Sequence, residues 1–200
     1  MSGATSPAER NKAPILAVLG PLLAPGDTVL EIASGAGTHV DYFAEQLPHV
    51  EFQPSELAPE SVTELTQRFA KRENIRPAIG LDVLKRPADW GAPGAYKAVI
   101  VANLFHISAV RTMVGYLQGA QRVVRADGFL HIYGPFNRNG RFTSAGNEAF
   151  DASLRLRNPL WGIRELETLL ELAERHGFAA EQIVEQPANN LSVVLRNSET

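Results

Sequence analysis

The chain has 200 residues, of which 44% are apolar and 20% charged, and this composition is typical of one globular domain with a buried core. A formal net charge of -3 does not favour binding to nucleic acid or to an anionic membrane surface, so a small-molecule or peptide substrate is the first expectation. The absence of cysteine excludes disulfides, thiolate nucleophiles and zinc-cysteine sites. Without an apolar leader or a long apolar run, the sequence predicts a soluble cytoplasmic protein with no membrane contact.

The first part of the chain alternates between helix and strand patterns. Ser6 and Glu9 have the spacing of a capping box around Pro7, which predicts a short helix within an N-terminal segment of residues 1–25. Pro14 and Pro21 are expected to interrupt it. The following pattern predicts strands over residues 28–33, 50–54, 76–81 and 96–102, with helices over residues 38–47 and 59–72.

The second part continues the alternation and closes with two strands. Gly177 is placed to end the last helix, and the short connection over residues 186–190 predicts an antiparallel hairpin after it. The predicted helices cover residues 110–124, 143–156 and 162–176, and the predicted strands cover residues 129–133, 178–184 and 191–195. We therefore predict a single α/β domain over residues 1–200, with a mainly parallel seven-stranded sheet and one antiparallel strand at its edge.

A glycine-bearing segment, Glu31-Ile-Ala-Ser-Gly-Ala-Gly37, joins the first strand to the next helix. In a doubly wound sheet this turn lies at the carboxyl end of the strands, where ligands bind. Gly35 and Gly37 lack the Cβ atom that would hold a ligand away from the backbone, and the helix after them begins with unpaired N–H groups. The alternative interpretation is a turn that only packs a strand against a helix.

The residues around this turn separate two classes of cofactor. Val40 stands where a dinucleotide site needs a small residue, which disfavours NAD. The Glu31 carboxylate would repel a pyrophosphate but suits the ammonium and sulfonium charges of S-adenosylmethionine. Two more acids are expected at strand tips: Glu56, followed by Leu57, after the second strand, and Asp82, followed by Val83, after the third. Glu56 suits ribose hydroxyls and Asp82 suits an adenine amine. Each acid alone is also consistent with a solvated loop residue or a helix cap.

The glycine segment resembles motif I of class I methyltransferases, with Ala33 where many members have the first glycine. Beyond this motif, the chain resembles the family of methyltransferase-like protein 26 over residues 6–12, 30–35, 102–108, 133–136, 147–154, 161–164 and 187–191. The resemblance covers nearly the whole chain. It implies a Rossmann-like class I methyltransferase fold without an added substrate domain, with S-adenosylmethionine as cofactor and S-adenosylhomocysteine as product.

The predicted cofactor site gathers residues from several elements. His39 follows the glycine turn, and the N-terminal helix could fold over the cofactor or be an ordinary capped surface helix. The cofactor-binding candidates are Arg10, Asn11, Glu31, Ala33, Ser34, Gly35, Gly37, His39, Glu56, Leu57, Asp82, Val83 and Asn103.

Methyl transfer needs an aligned donor and acceptor, and it needs a base only when the acceptor carries a proton of high pKa. His106 is a candidate base and Asn103 an orienting group, with Tyr133 as a third catalytic candidate; His106 is equally consistent with a helix cap or a buried structural histidine. The segment Asn103-Leu-Phe-His106 lacks the Pro-Pro pattern of enzymes that methylate amino groups of bases, which again disfavours nucleic acid. The five histidines show no metal-ligand spacing, so no metal site is expected.

Residues 134–142 are predicted to form a loop that walls or covers the substrate pocket. The two arginines of this loop suit a carboxylate or phosphate, although solvated arginines are the alternative. The substrate candidates are Phe105, Phe136, Arg138 and Arg141.

Three functions are compatible with these residues. The first is an enzyme that transfers a methyl group to a small molecule or a peptide side chain. The second uses S-adenosylmethionine in an intramolecular attack on its aminocarboxypropyl arm, which yields methylthioadenosine. The third is a catalytically idle cofactor-binding module that acts through a partner protein, because no compelling general base is present.

Overall fold

The computed structural model describes residues 6–85 and 87–198, so residues 1–5 of the predicted N-terminal segment lie outside the described residues. Contacts along the chain define two compact units, Met1–Leu81 and Asp82–Thr200. The organisation as a single domain stays a prediction. No helix in the described ranges is long and apolar enough to cross a membrane.

The described part of the first unit contains three parallel strands and three α-helices. Its strands have the order β3-β2-β1. Because they are parallel, their carboxyl ends lie at the same end of the sheet. The helices are α1 (Pro7–Leu19), α2 (Thr38–Gln46) and α3 (Pro59–Arg68), and the strands are β1 (Thr28–Ile32), β2 (Glu51–Glu56) and β3 (Ile79–Gly80).

Helix α1 begins as its sequence predicts but is longer than expected. The Ser6 Oγ atom accepts a hydrogen bond of 3.2 Å from the Glu9 N–H, which confirms the predicted N-cap. The expectation that Pro14 interrupts the helix is wrong, since α1 continues through it to Leu19. Ile15 and Leu19 are buried on one face of α1, and this burial offsets the backbone hydrogen bond that proline cannot make.

Strand β2 also continues through a proline. We predicted an end at Pro54, but the strand reaches Glu56, with Pro54 in register with Glu31 of β1. In contrast, β3 is much shorter than predicted. Before β3 the chain pairs with β2 only locally, through the Arg76 N–H and the Phe52 carbonyl over 2.8 Å, and the Gln53 Nε2 group donates to the Pro77 carbonyl over 2.7 Å.

The described part of the second unit contains five strands and three α-helices. β4 and β6 are parallel to β5, and β8 is antiparallel to both β5 and β7. The strands are β4 (Tyr96–Ala102), β5 (Val124–Asn137), β6 (Arg164–Glu165), β7 (Phe178–Gln186) and β8 (Asn190–Asn197), and the helices are α4 (Arg111–Val123), α5 (Ala145–Arg157) and α6 (Leu166–Arg175).

The strand order confirms the predicted hairpin but corrects its position. The order β4-β5-β8-β7 places the antiparallel strand β8 inside the sheet, whereas we predicted it at the edge. Burial explains the order: five central residues of β8 are buried, while most of β7 is exposed. The more apolar strand therefore takes the position with a neighbour on each side.

Two further boundaries differ from the prediction. Strand β5 extends to Asn137, so residues 134–137 of the predicted loop are buried strand, with Gly134 opposite Leu191 of β8. Helix α6 begins at Leu166 instead of residue 162, because the segment before it pairs with β5 as β6. The described residues thus form eight strands instead of the predicted seven.

Candidate functional site

The turn after β1 has an unusual backbone that is tied to the end of β2. Ala33, Gly35 and Gly37 all have left-handed conformations, with φ angles of 55°, 58° and 76°. For Ala33 this conformation costs roughly 1–2 kcal/mol, so neighbouring contacts must hold it. The Ser34 N–H donates to the Ser55 carbonyl over 2.9 Å, and the Ser34 Oγ atom accepts from the Ser55 N–H over 3.2 Å. The turn is thus anchored at the carboxyl end of the neighbouring strand.

The two glycines of this turn serve different purposes. A Cβ atom on Gly35 would meet nothing within 4 Å, so the backbone is open to a ligand there. A Cβ atom on Gly37 would lie 2.6 Å from the Phe69 ring and 2.9 Å from Leu65. Packing against these side chains therefore explains why residue 37 is a glycine, and the ligand approach predicted for it stays a prediction.

Glu31 supplies a buried carboxylate at the end of β1. The residue is only 2% exposed, and its Oε2 atom has no hydrogen-bond partner among the described residues. Its Oε1 atom lies 3.4 Å from Nδ1 of His39, and Nε2 of His39 lies 2.7 Å from Oδ1 of Asn11. The structure thus brings three predicted cofactor residues into one buried chain of contacts that ends in an unpaired oxygen.

Glu56 lies at the tip of β2, as predicted, and contacts the glycine turn. Its Oε1 atom accepts a hydrogen bond of 2.7 Å from the Gly35 N–H, and its Oε2 atom accepts one of 3.0 Å from the Leu57 N–H. The Leu57 side chain is 65% exposed. Arg10, on α1, is also exposed, next to the buried Asn11. The first unit therefore presents two carboxylates and an open backbone around one turn.

In the second unit, two predicted catalytic side chains lie beside the same point of β5. The Asn103 Oδ1 atom and the His106 Nδ1 atom lie 3.8 Å and 3.9 Å from the position that a Cβ atom on Gly134 would occupy. The Asn103 N–H donates to the Tyr133 carbonyl over 2.8 Å, and the Tyr133 side chain is buried. The structure therefore brings Asn103 and His106 together next to the strand that carries Tyr133.

His106 lies in a buried and positively charged environment. Burial, followed by the charges of Arg164 and Arg157, lowers the pKa of His106 to about 4. The Phe150 ring meets the imidazole edge-on at 5.4 Å between centroids. The imidazole is therefore neutral at pH 7. Its burial agrees with the alternative interpretation of His106 as a buried histidine.

Sequence reasoning did not identify Arg164, which holds the turn that carries His106. Its Nε atom donates to the Phe105 carbonyl over 3.0 Å, and its Nη2 atom donates to the carbonyls of Leu160, over 2.8 Å, and Ser108. The only signal in the sequence was the resemblance over residues 161–164. Arg164 thus both fixes this turn and contributes to the low pKa of His106.

The remaining candidates of the second unit fall into two groups. Phe105 and Phe136 are buried, and Phe105 packs edge-on against Tyr116, so these two predicted substrate residues belong to the packed interior. Asp82 and Val83 form a turn after β3, in which the Asp82 Oδ1 atom accepts from the Leu84 N–H over 2.9 Å. These observations give structural reasons for Phe105, Phe136 and Asp82, and the site roles predicted for all four residues stay predictions.

The two predicted arginines beyond β5 differ from each other. The backbones of Arg138 and Arg141 pair through two hydrogen bonds of 3.0 Å and 3.1 Å, and the Arg141 side chain is exposed, as in the solvated alternative. The Arg138 side chain is only 39% exposed, and its Nε atom is buried without a hydrogen-bond partner in the described ranges. The Oδ1 atom of the neighbouring Asn137 is also buried without a hydrogen-bond partner in the described ranges, and sequence reasoning missed this residue.

Within residues 6–85 and 87–198, no group of three or more histidine, aspartate or glutamate side chains could hold a metal ion.

Comparison with known families gives one match that spans nearly all of the sequence. A family described as "Protein of unknown function (DUF938)" matches residues 3–197. The match includes every predicted site residue of both units.

Comparison with solved structures shows that the fold of this chain is similar to the fold of several methyltransferases. Human N-acetylserotonin methyltransferase in complex with S-adenosylmethionine matches with a TM-score of 0.77 at 16% identity, over 94% of this chain and 51% of that chain. An O-methyltransferase family protein from Burkholderia thailandensis matches with a TM-score of 0.80 at 15% identity, over 96% of this chain and 57% of that chain. An S-adenosylmethionine-dependent methyltransferase from Aquifex aeolicus matches with a TM-score of 0.70 at 17% identity, over 96% of this chain and 94% of that chain.

This chain thus spans about half the length of the first two proteins. At these identities the likeness concerns the fold alone, and it confirms the predicted mixed α/β Rossmann-like fold of S-adenosylmethionine-dependent methyltransferases.

Proposed function

Because the chain belongs to the DUF938 family and has a methyltransferase fold, we propose that it binds S-adenosylmethionine and transfers the methyl group to a small molecule or a peptide side chain. We also propose that the protein is related to the family of methyltransferase-like protein 26 and that it is located in the cytoplasm. The fold makes the cofactor plausible, while the side chains of the first unit support it.

The observation that carries the proposal is the unpaired Glu31 carboxylate oxygen. A buried carboxylate without a partner is unfavourable, and a ligand cation with N–H groups would relieve that cost. His39 approaches one carboxylate oxygen and leaves the other available. An anionic pyrophosphate at the same place would increase the cost, so the site selects a ligand with positive charge.

The other residues of the turn fit the rest of this cofactor. When bound, S-adenosylmethionine supplies a methyl group on a sulfonium centre. We assign the open backbone at Gly35 to close approach of the cofactor, and the Glu56 carboxylate to the ribose hydroxyls. Asn11 and His39 orient Glu31. The roles predicted for Arg10, Leu57, Asp82, Val83 and Asn103 toward the cofactor stay predictions.

On the acceptor side, the state of His106 restricts its possible role. A general base is most effective when its pKa is near the working pH, and a pKa of about 4 makes His106 a weak base. Its neutral imidazole can still accept a hydrogen bond and orient an acceptor group. We therefore assign an orienting role to His106 and Asn103, and expect the acceptor to need little deprotonation.

Titration calorimetry with two ligands tests the cofactor site. We expect Glu31→Gln to weaken S-adenosylmethionine about tenfold or more, because it removes the negative charge. Methylthioadenosine has no aminocarboxypropyl arm, so Glu31→Gln should leave its affinity nearly unchanged, while Glu56→Gln should weaken both ligands. If the unchanged protein binds neither ligand, the proposal is wrong.

Product analysis separates the reactions that use this cofactor. Accumulation of S-adenosylhomocysteine supports methyl transfer, whereas methylthioadenosine supports attack within the aminocarboxypropyl arm. The low pKa of His106 favours a second candidate, a catalytically idle cofactor-binding module. Cofactor binding without either product, across a panel of small-molecule and peptide acceptors, would support that candidate.

A further inference from the structure

The second unit contains a cavity of about 270 Å³ beside the turn that follows β5. Parallel α/β sheets bind ligands beyond the carboxyl ends of their strands, and β5 ends at Asn137, immediately before this cavity. Its volume lies just below the range of roughly 300–1,000 Å³ that is usual for ligand pockets, so only a small ligand fits. The polar side chains that line it are Arg138, Thr143, Glu185, Gln186, Asn189 and Asn190.

Arg138 brings unsatisfied hydrogen-bond donors to this cavity. Its Nε atom is buried without a partner, and Nη1 lies 4.0 Å from the Glu185 Oε1 atom, beyond hydrogen-bond distance. Other arginines of the same unit are satisfied: Arg155 donates to Asp151, and Arg196 donates to Glu181. A planar guanidinium with free donors matches a carboxylate group.

The walls of the cavity are held in place by a buried side chain. The Asn147 Nδ2 group donates to Thr143 Oγ1 over 2.8 Å and to the Asn189 carbonyl over 3.3 Å, which connects two lining residues. Ala188 and Asn189 have φ angles of 59° and 55°, as the central residues of a tight hairpin turn between β7 and β8. The cavity is therefore shaped before any ligand enters.

The charges at the cavity decide which kind of anion fits. Arg138 supplies one positive charge, and Glu185, which is mostly exposed, supplies one negative charge at the rim. A dianionic phosphate would be repelled by Glu185, whereas a ligand that carries an ammonium group beside its carboxylate can pair with both side chains. The amide side chains and Thr143 provide neutral hydrogen-bonding groups.

We propose that this cavity binds a small zwitterion of the α-amino acid class, with its carboxylate on Arg138 and its ammonium group toward Glu185. Binding of this ligand is independent of the cofactor. We further propose that this zwitterion is the methyl acceptor, and this second step rests on the proposed function.

NMR titration without S-adenosylmethionine tests the site directly, with glycine, L-serine and L-glutamine as probes. We expect the Arg138 Nε–H and the Asn189 and Asn190 side-chain amide signals to shift on binding. Glycinamide lacks the carboxylate and should bind about tenfold more weakly than glycine or worse. Absence of shifts at millimolar amino acid, or equal affinity for glycinamide, would overturn the proposal.

Substitutions separate the contributions of the Arg138 and Glu185 charges to amino acid binding. Arg138→Met should reduce amino acid affinity about tenfold or more, and Arg138→Lys less, because lysine keeps the charge but not the planar fork. Arg141→Met is the matched control on the same turn and should change affinity less than about twofold. Glu185→Gln should weaken glycine but not acetate.

Two results would contradict this assignment: Arg141→Met as damaging as Arg138→Met, or inorganic phosphate bound more tightly than glycine. Because no cofactor is present in this titration, its failure leaves the proposed cofactor site untouched. Conversely, failure to bind S-adenosylmethionine leaves the amino acid site untouched.

Discussion

The buried imidazole of His106 illustrates how single residues connect packing with chemistry. The side chain is 8% exposed, and the burial that packs it also lowers its pKa to about 4. Arg164 fixes the turn through the Phe105 and Ser108 carbonyls and adds positive charge nearby. One contact network therefore sets both the position and the protonation state of this side chain.

The pKa of His106 predicts how stability changes with pH. The native pKa is about 4 and the ordinary value is 6.5, so between these values the unfolded chain binds more protons than the native protein. The stabilisation is present above pH 6.5 and is lost as the pH falls toward 4. We expect His106 to account for about 2 kcal/mol of the loss in unfolding free energy between pH 7 and pH 5.

Urea unfolding of His106→Gln at these two pH values measures this contribution. The variant should lose less stability on acidification than the unchanged protein, and His49→Gln, at an exposed position, should behave like the unchanged protein. An equal pH dependence for His106→Gln and the unchanged protein would contradict the assigned pKa.

At the two glycines of the β1–α2 turn, an added methyl group should destabilise the protein to different extents. Gly37→Ala should reduce the unfolding free energy by about 3 kcal/mol, because the new Cβ atom would collide with Phe69 and Leu65 in a left-handed conformation. Gly35→Ala meets open space and should cost about 1 kcal/mol. Urea unfolding gives both values, and calorimetry should show that Gly35→Ala still weakens S-adenosylmethionine. Equal destabilisation by the two substitutions would be inconsistent with the packing role of Gly37.

The sequence located the glycine turn but could not separate the roles of its glycines, because Phe69 lies 32 positions after Gly37. Arg164 was missed for a similar reason, since the Phe105 carbonyl that it contacts lies 59 positions earlier. The positions of Glu31 and Glu56 near the ends of β1 and β2 were predicted correctly, because each strand is a local pattern in the sequence. Residues whose role depends on distant contacts cannot be identified from local patterns.

At the scale of elements, the sequence identified most helices and strands but misjudged several ends. Periodicity finds the apolar face of an element, while its ends depend on contacts with neighbouring elements. Strand β5 reaches Asn137 because β6 and β8 pair with its last residues. Similarly, α1 continues through Pro14 because its buried face continues. In both cases tertiary contacts overcame a local signal for a turn or a break.

Helix α4 contains a glycine that predicts an effect against helix propensity. A Cβ atom on Gly119 would overlap the ring of Trp90, which is fully buried. Although alanine favours a helix by about 1 kcal/mol, we expect Gly119→Ala to destabilise the protein by about 1–2 kcal/mol, because the tryptophan must move.

Gly146→Ala provides the matched control in α5. Its new methyl group would lie 3.6 Å from the Ser144 Oγ atom, an ordinary contact, so this change should be neutral or stabilise by up to about 1 kcal/mol. Unfolding in urea, followed by tryptophan fluorescence, measures both variants. The interpretation fails if the two substitutions have the same sign.

At the scale of the whole molecule, the fold is shared with methyltransferases at 15–17% identity. This fold therefore depends on the pattern of buried residues and not on particular side chains. The proposed amino acid site therefore rests on particular side chains, Arg138 and Glu185 beside their cavity, and not on the shared fold. Family membership consequently informs on architecture more than on substrate.

Cofactor binding should be visible in the stability of the whole chain. S-adenosylmethionine at about 100 times its dissociation constant should raise the unfolding free energy by about 2.7 kcal/mol, if it binds only the native state. For a protein of this size that gain corresponds to an increase in Tm of roughly 5–10 °C. Differential scanning calorimetry measures it. Glu31→Gln, at the same cofactor concentration, should show a smaller increase, and an equal increase would argue against Glu31 as a cofactor contact.

The inner position of β8 also has a consequence for synthesis. The edge of β5 that pairs with β8 is complete when Asn137 has been added, but roughly 60 more residues must follow before Asn197 completes its partner. At roughly 5–20 residues per second, this interval lasts several seconds. Until β8 is added, the edge of β5 that it covers lacks its partner, and an unpaired apolar strand edge is prone to pair with other chains.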